Sequence, residues 1–360
     1  MRMHRRDFLR QTGTAALAAS AAGGPRFAVH AADKAGSRAP IVGAGAYRYE
    51  CHHLWGEVPP SIHWYETHGV AIDREGFVYV KHRGGNEKPR TPEEGQDTIV
   101  VFDPAGKFVR SFGREYHGGG HGIDLREEGG QEFLYLCCMF PVNLVVKTDL
   151  KGEVVWIKQA PAEPHVYDRP NSPFSPTNVA FAPDGGFYVG DGYGSHYIHQ
   201  FDRLGNWVRT WGGLGDEPGK LKTPHGLWVD DRPGREPSLV VADRANARLQ
   251  YFTLDGRHLG FVREVSFPAH FDIRGEVLLV PDLHARLSLF DRENAVIAHL
   301  GYDPEWTRRV LDGFQIRTQP DQWPAGKFIH PHDACFDHEG NIYVAEWVAT
   351  GRVSFLRHVS

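Results

Sequence analysis

The sequence predicts an all-β fold, a six-bladed β-propeller, and three observations lead there. A strand–turn–strand unit recurs along the 360 residues, clearest as TPHGLWVDD at Thr223–Asp231. A second hairpin with an Asp/Gly turn follows almost every copy. Gly (41) and Pro (24) are abundant while helical periodicity is scarce, which argues for many short strands joined by turns.

Taken in order, the chain opens on HRRDFLR (His4–Arg10), an Ala-rich stretch (Thr14–Ala22) and small residues before Ala31. Residues 1–31 read as a twin-arginine signal peptide cleaved after Ala31. That implies the twin-arginine export machinery as a partner and a periplasmic or secreted protein. Residues 32–46 are expected as a flexible leader, and residues 47–360 as the propeller domain. Copies of the inner unit start near Thr67, Gly119, Ser175, Thr223, Phe267 and His330. Taking His68, His121, Thr177, His225, His270 and His332 as equivalent, they recur every 45–62 residues, the size of a four-stranded blade. The hairpins are Ile99–Gly113, Leu144–Ile157, Ile198–Gly212, Leu249–Val262 and Leu287–Gly301. Only GRVSFLRHVS follows the last copy, so Tyr47–Cys51 is expected to close the ring as its missing strand. Pro304–Trp323 reads as an inserted loop with a short helix. Closure would bring Cys51 near Cys335, as a disulfide or as two buried thiols. Cys137 and Cys138 are neighbours in a strand and point to opposite faces. The net charge of −5 supplies no basic field for nucleic acid, and no apolar run reaches the ~18 residues of a membrane span.

First strands of propeller blades line the central channel. His121, His225 and His332 stand in blades 2, 4 and 6, so their imidazoles are expected to converge with threefold spacing, the geometry of a catalytic zinc with an open fourth position. One such histidine alone signifies only a hydrogen-bonded loop. His68 and His270 are expected to serve packing or substrate rather than metal, with His270 set one position out of phase. Asp333 points away from its neighbour His332, either to a hard cation held with backbone carbonyls or to solvent. Tyr193, in the Gly-rich GDGYG loop, is exposed at the top of a second strand. Arg83 (KHRGG) and Arg244 (ADRAN) occupy the matching loops of other blades. A surface ion pair is the plainer reading of either arginine alone, but a fixed cation beside a phenol favours the phenolate, and a guanidinium grips a carboxylate.

The D-x-x-G-x-[V/I]-Y-V rhythm with its F-D-x-x-G hairpin resembles the NHL repeat family of six-bladed propellers. GDGYGSHYIHQF, TPHGLWV, ADRANARLQYF, HPHDA and KHRGG are similar, in order and spacing, to the catalytic domain of the peptidyl-α-hydroxyglycine α-amidating lyases. That resemblance implies Zn2+ on His121, His225 and His332, with Tyr193 as catalytic base and Arg83 and Arg244 as essential residues beside it. It also implies a structural Ca2+ on Asp333 and the carbonyls of Val70 and Ile123. The expected reaction cleaves an N-acyl-α-hydroxyglycine to an amide and glyoxylate, on a small or peptide-derived substrate. This chain departs from the family in three ways: Gly194 stands where a half-cystine follows the tyrosine, the half-cystines around the arginine motif are absent, and His330 replaces an apolar methionine. His330 is therefore expected near the metal, facing substrate. Two other functions stay open on sequence: a metal-dependent lyase or hydrolase of another small polar substrate or carbohydrate, and a non-catalytic binding platform.

Overall fold

Short β-branched and aromatic runs separated by chain-reversing turns fold each repeat into an antiparallel sheet. The computed structural model describes residues 39–359, apart from 86–88, 90 and 92–93. The stretch expected as a signal peptide and residues 32–38 of the expected leader lie outside the described residues. Within them the chain forms a six-bladed β-propeller, five sheets having four strands and one having five. The inner strands are Thr67–Ile72, Ile123–Glu128, Val179–Phe181, Pro224–Asp230, Asp272–Arg274 and Pro331–Phe336.

The outer hairpins share one turn device. The carboxylates of Asp103, Asp149, Asp202 and Asp291 each accept two backbone N–H groups of the turn at 2.8–3.0 Å. The turn needs a left-handed residue, which explains its glycines: Gly106, Gly152 and Gly205 have φ of 84°, 95° and 79°. In blade 5 Asn294 takes that role at φ 65°, the tolerance expected of asparagine.

Ring closure follows the expected route. Tyr47–His53 pairs antiparallel with Arg352–Val359, in the order Ile41–Ala44, Tyr47–His53, Arg352–Val359, Ile342–Glu346, Pro331–Phe336. The stretch expected as leader differs from expectation at its end. Ile41–Ala44 forms a fifth strand, paired Ala44 to Tyr47, because Val42 buries its side chain against Leu279, Leu300 and Phe328. The proposed Cys51–Cys335 disulfide does not form, and all four cysteines are free. Cys51 is paired with Leu356, whereas Cys335 is paired with Tyr343, and two strands separate the two cysteines. The two thiols also face different cores, one beside Leu356 and Ile342 and the other beside Tyr343 and Phe355.

Cohesion comes from blade-to-blade contact. Val240, Ala242 and Leu249 of blade 4, for instance, pack on Phe271, Leu278 and Val280 of blade 5. Each fully buried side chain of this size contributes about 1.5–3 kcal/mol. The insertion does contain a helix, Pro304–Leu311, whose first turn is capped by the Asp303 carboxylate. Trp306 and Val310 anchor it against Ile329 and Val348, which brings the following loop and Arg317 to Trp347. No helix among the described residues is long and apolar enough to cross a membrane.

Candidate functional site

The inner strands of neighbouring blades run so close that the residues after His121 and His225 must be small. A Cβ on Gly122 would lie 2.6 Å from the Thr177 carbonyl, and one on Gly226 would lie 2.4 Å from the Ala269 carbonyl. The same closeness orients the histidines. His121 Nδ1 donates to Thr177 O at 2.5 Å, His225 Nδ1 to Ala269 O at 2.7 Å, and His332 Nδ1 to His68 O at 2.7 Å. Each even-numbered blade thus hangs its imidazole on a carbonyl of the next odd-numbered blade. The residue equivalent to the others in blade 5 is therefore Ala269, and His270 lies one position deeper, out of phase as its spacing suggested.

The three rings converge, with centroids 4.4, 4.9 and 4.6 Å apart. All three are buried. With the proton on Nδ1, each Nε2 keeps a bare lone pair. His121 Nε2 and His225 Nε2 nevertheless stand 2.9 Å apart, and His332 Nε2 has no hydrogen-bond partner. Lone pairs facing one another in a dry site repel, and a cation between them removes the conflict. Burial, reinforced by Arg244 and the neighbouring imidazoles, holds all three rings well below the usual histidine range. They are neutral at pH 7, as metal ligation requires. The donor set thus fits a borderline metal such as zinc, with backbone carbonyls fixing the tautomers. A fourth imidazole, His68, joins them: ligand atoms of His68, His121 and His332 all lie within 4.8 Å of one another.

Tyr193 leans over this cluster from its loop, 39% exposed. Its hydroxyl lies 3.3 Å from His225 Nε2 and accepts a hydrogen bond from Arg244 Nη1 at 3.1 Å. Arg244 is buried, stacked between Tyr193 and Phe267, and its Nε has no partner. Arg83 behaves differently from expectation. Its guanidinium is taken up by Glu66 at 3.1 Å and by the Gly118 carbonyl at 3.2 Å, so it meets Glu66 and not the phenol. Glu66 is also bound by Arg317 of the insertion at 2.7 Å.

His330 also lies elsewhere than expected. Its Nδ1 donates to Leu283 O at 2.7 Å and its ring contacts Phe314 and Trp347. Burial pushes it down to about 4. Asp333 does line one cavity of about 160 Å³ with Val70 and Ile123, the residues implied to hold calcium. It accepts the Val70 N–H at 3.0 Å, and Asp124, Asp272 and His270 share the cavity. Burial raises the carboxyls of Asp272 and Asp333 to about 7. His270 is 3.0 Å from Asp124. Burial opposes its charge, but the carboxylates of Asp333 and Asp124 outweigh that and raise it to about 9. Carboxylates outnumber the imidazolium, and Asp124 Oδ2 is unpaired, so the residues present suit a hard cation.

Sequence reasoning missed the residues that aim the site. A carboxylate at or just past the top of the second strand pins the segment entering the inner strand in four blades. Asp191 accepts Ser175 N, Asp243 accepts Lys222 N, Asp282 accepts Ser266 N and Glu346 accepts Ile329 N, all at 2.7–2.8 Å. Asp191 also accepts Ser195 N at 2.6 Å, which ties down the Tyr193 loop. It explains Gly194 too, where a Cβ would sit 1.9 Å from Asp191 Oδ1. The acidic residue recurring at the end of four of the second strands was the available signal.

Fold and site together describe a propeller with a histidine cluster and a tyrosine–arginine pair at its channel mouth. The chain resembles the amidating-lyase propellers, and its curated relatives bear enzyme names. It is 30% identical over 227 residues to mouse peptidyl-glycine alpha-amidating monooxygenase, covering 56% of this chain and 22% of that protein. The Xenopus laevis monooxygenase A is 28% identical over 301 residues, 78% of this chain and 30% of that protein. A probable peptidyl-alpha-hydroxyglycine alpha-amidating lyase of Caenorhabditis elegans is 26% identical over 219 residues, 56% of this chain and 59% of that protein. The chain thus spans about a fifth to three fifths of these relatives' lengths. No family model matches. Among solved structures, a gluconolactonase from Xanthomonas campestris superposes with a TM-score of 0.57 at 13% identity, over 88% of this chain and 94% of that one. Virginiamycin B lyase from Staphylococcus aureus does so with 0.50 at 12%, over 86% and 100%. At these identities the likeness is one of fold.

Proposed function

We propose that the protein is an exported, metal-dependent lyase that cleaves an N-acyl-α-hydroxyglycine-like hemiaminal to an amide and glyoxylate. The observation that carries this is the Tyr193 hydroxyl, 3.3 Å from His225 Nε2 and 3.1 Å from Arg244 Nη1, above converging imidazoles. The nematode relative, a probable peptidyl-alpha-hydroxyglycine alpha-amidating lyase, points the same way. Zinc held by His121, His225 and His332 would supply a Lewis acid for the substrate hydroxyl oxygen. Tyr193 takes the hydroxyl proton, its oxygen held in place by the Arg244 Nη1–H. The carbinol C–O bond becomes the aldehyde of glyoxylate as the C–N bond breaks. The leaving nitrogen keeps the bonding pair and takes the proton back from Tyr193 as an amide. Arg244, whose guanidinium already reaches the phenol at 3.1 Å, is the cation beside Tyr193 suited to a substrate carboxylate. Arg83 acts through Glu66, which it holds at 3.1 Å. Asp333, with the carbonyls of Val70 and Ile123, would hold a structural calcium deeper in the channel.

The test is glyoxylate release from N-benzoyl-α-hydroxyglycine by zinc-loaded protein. One glyoxylate per benzamide is expected. Protein with a full metal complement that releases neither product would overturn the reading.

A further inference from the structure

His68 stands in blade 1 at the position that His121, His225 and His332 hold in blades 2, 4 and 6. The carbonyls of the three odd-numbered blades, from His68, Thr177 and Ala269, orient the three rings already described. Of those three residues only His68 adds an imidazole to the layer. That ring is 4.5 Å from His332 and 5.6 Å from His121, centroid to centroid. It is 2% exposed, and neither of its nitrogens has a hydrogen-bond partner. Burying two unmet polar atoms in one ring is costly, so the arrangement calls for something the protein itself does not provide.

The surroundings define what that is. The Glu66 carboxylate stands 3.8 Å from His68 Nε2. Glu66 cannot swing closer without leaving Arg83 and Arg317, which hold it at 3.1 and 2.7 Å. Behind the ring, Gly120 leaves no slack, since a Cβ there would lie 2.9 Å from His68 Cδ2. Carboxylate, histidine and a cluster of neutral nitrogens in series is how proteins orient a metal ligand from behind.

We propose that His68 is a fourth nitrogen ligand of the metal centre, backed by Glu66. The proposal rests on the reading of His121, His225 and His332 as ligands and extends it. Four imidazoles complete a tetrahedron, so an ion that still meets substrate beside Tyr193 must take at least five ligands. The centre therefore favours ions that accept five or six ligands, or zinc expanded to five. Glu66, Arg83 and Arg317 become positioning residues of the metal rather than of the substrate.

The experiment is a crystal structure of the wild-type protein loaded with Co2+, with the ion located by anomalous scattering, paired with Co2+ titrations of variants. A His68 nitrogen within about 2.3 Å of the ion is expected. The His68→Ala and His68→Gln variants should bind Co2+ roughly 10–100-fold more weakly, with a visible spectrum shifted toward that of a four-coordinate ion. An ion bound by His121, His225 and His332 with His68 beyond 3 Å overturns the proposal alone. So does wild-type affinity with an unchanged spectrum in both variants. If His225→Ala also keeps wild-type Co2+ affinity, the three-histidine reading falls with it.

Discussion

In the mouth layer of the channel, His121, His225 and His332 are buried beside Arg244 and one another, and their charged forms are driven out. One residue deeper, His270 is equally buried but faces Asp124, Asp272 and Asp333, and it is held charged. Burial disfavours charge in both layers. The sign of the neighbours decides the outcome. Neutral imidazoles with bare nitrogens are ready for a transition metal, whereas an imidazolium among carboxylates suits a structural role or a hard cation. One channel thus keeps two chemistries apart across a single residue step.

The comparison breaks most sharply at the mouth. His225→Ala should lose stoichiometric zinc and all measurable turnover, while His270→Leu should keep its zinc. Elemental analysis of untagged protein decides it. The next effect concerns stability. His270→Leu leaves Asp124 without its partner, and removing one member of a buried pair costs about 3–5 kcal/mol. Urea unfolding of the metal-loaded variant would show a lower midpoint, and an unchanged midpoint would mean the pair is idle. Tyr193→Phe should lower kcat at least ~100-fold with metal content unchanged, given the usual yield of acid–base catalysis. Full activity there would remove the tyrosine from the mechanism.

A smaller effect separates the layers by pH. The folded His270 holds its proton up to about 9, and the unfolded one releases it near 6.5. The folded state therefore binds more protons in that window, so stability is fully present below pH 6.5 and declines as pH rises through 9. The slope should approach about 1 kcal/mol per pH unit. In the mouth layer the folded rings bind fewer protons, so metal-free protein should instead lose stability as pH falls below 6.5. Urea midpoints of metal-free wild type and His270→Leu should therefore draw together as pH rises from 6.5 to 9, and a constant gap across that range would mean His270 does not titrate there.

Much of this was legible from residues alone. Repeats with Asp/Gly turns dictate blades, because strand length, alternation and turn chemistry are local properties. Histidines at alternate repeats dictate convergence, because equivalent positions in a closed ring face one axis. The missing last strand dictated closure by Tyr47–Cys51, since an unpaired sheet edge needs a partner. What the sequence could not decide was which way individual side chains turn. A one-residue offset put Ala269 in the ring and His270 in the acidic layer, as a slip of one position must in a strand. His68 was expected to serve packing or substrate, and His330 was expected near the metal, facing substrate. The observed placements depend on contacts between separate blades, His68 O with His332 across 264 residues and Leu283 O with His330 across 47. Arg83 was matched to Tyr193 by its loop, yet it is bound by Glu66. Local pattern determined the blades and the histidine ring. The partners of each charge, and so the chemistry of each layer, were decided only when neighbouring blades closed against one another.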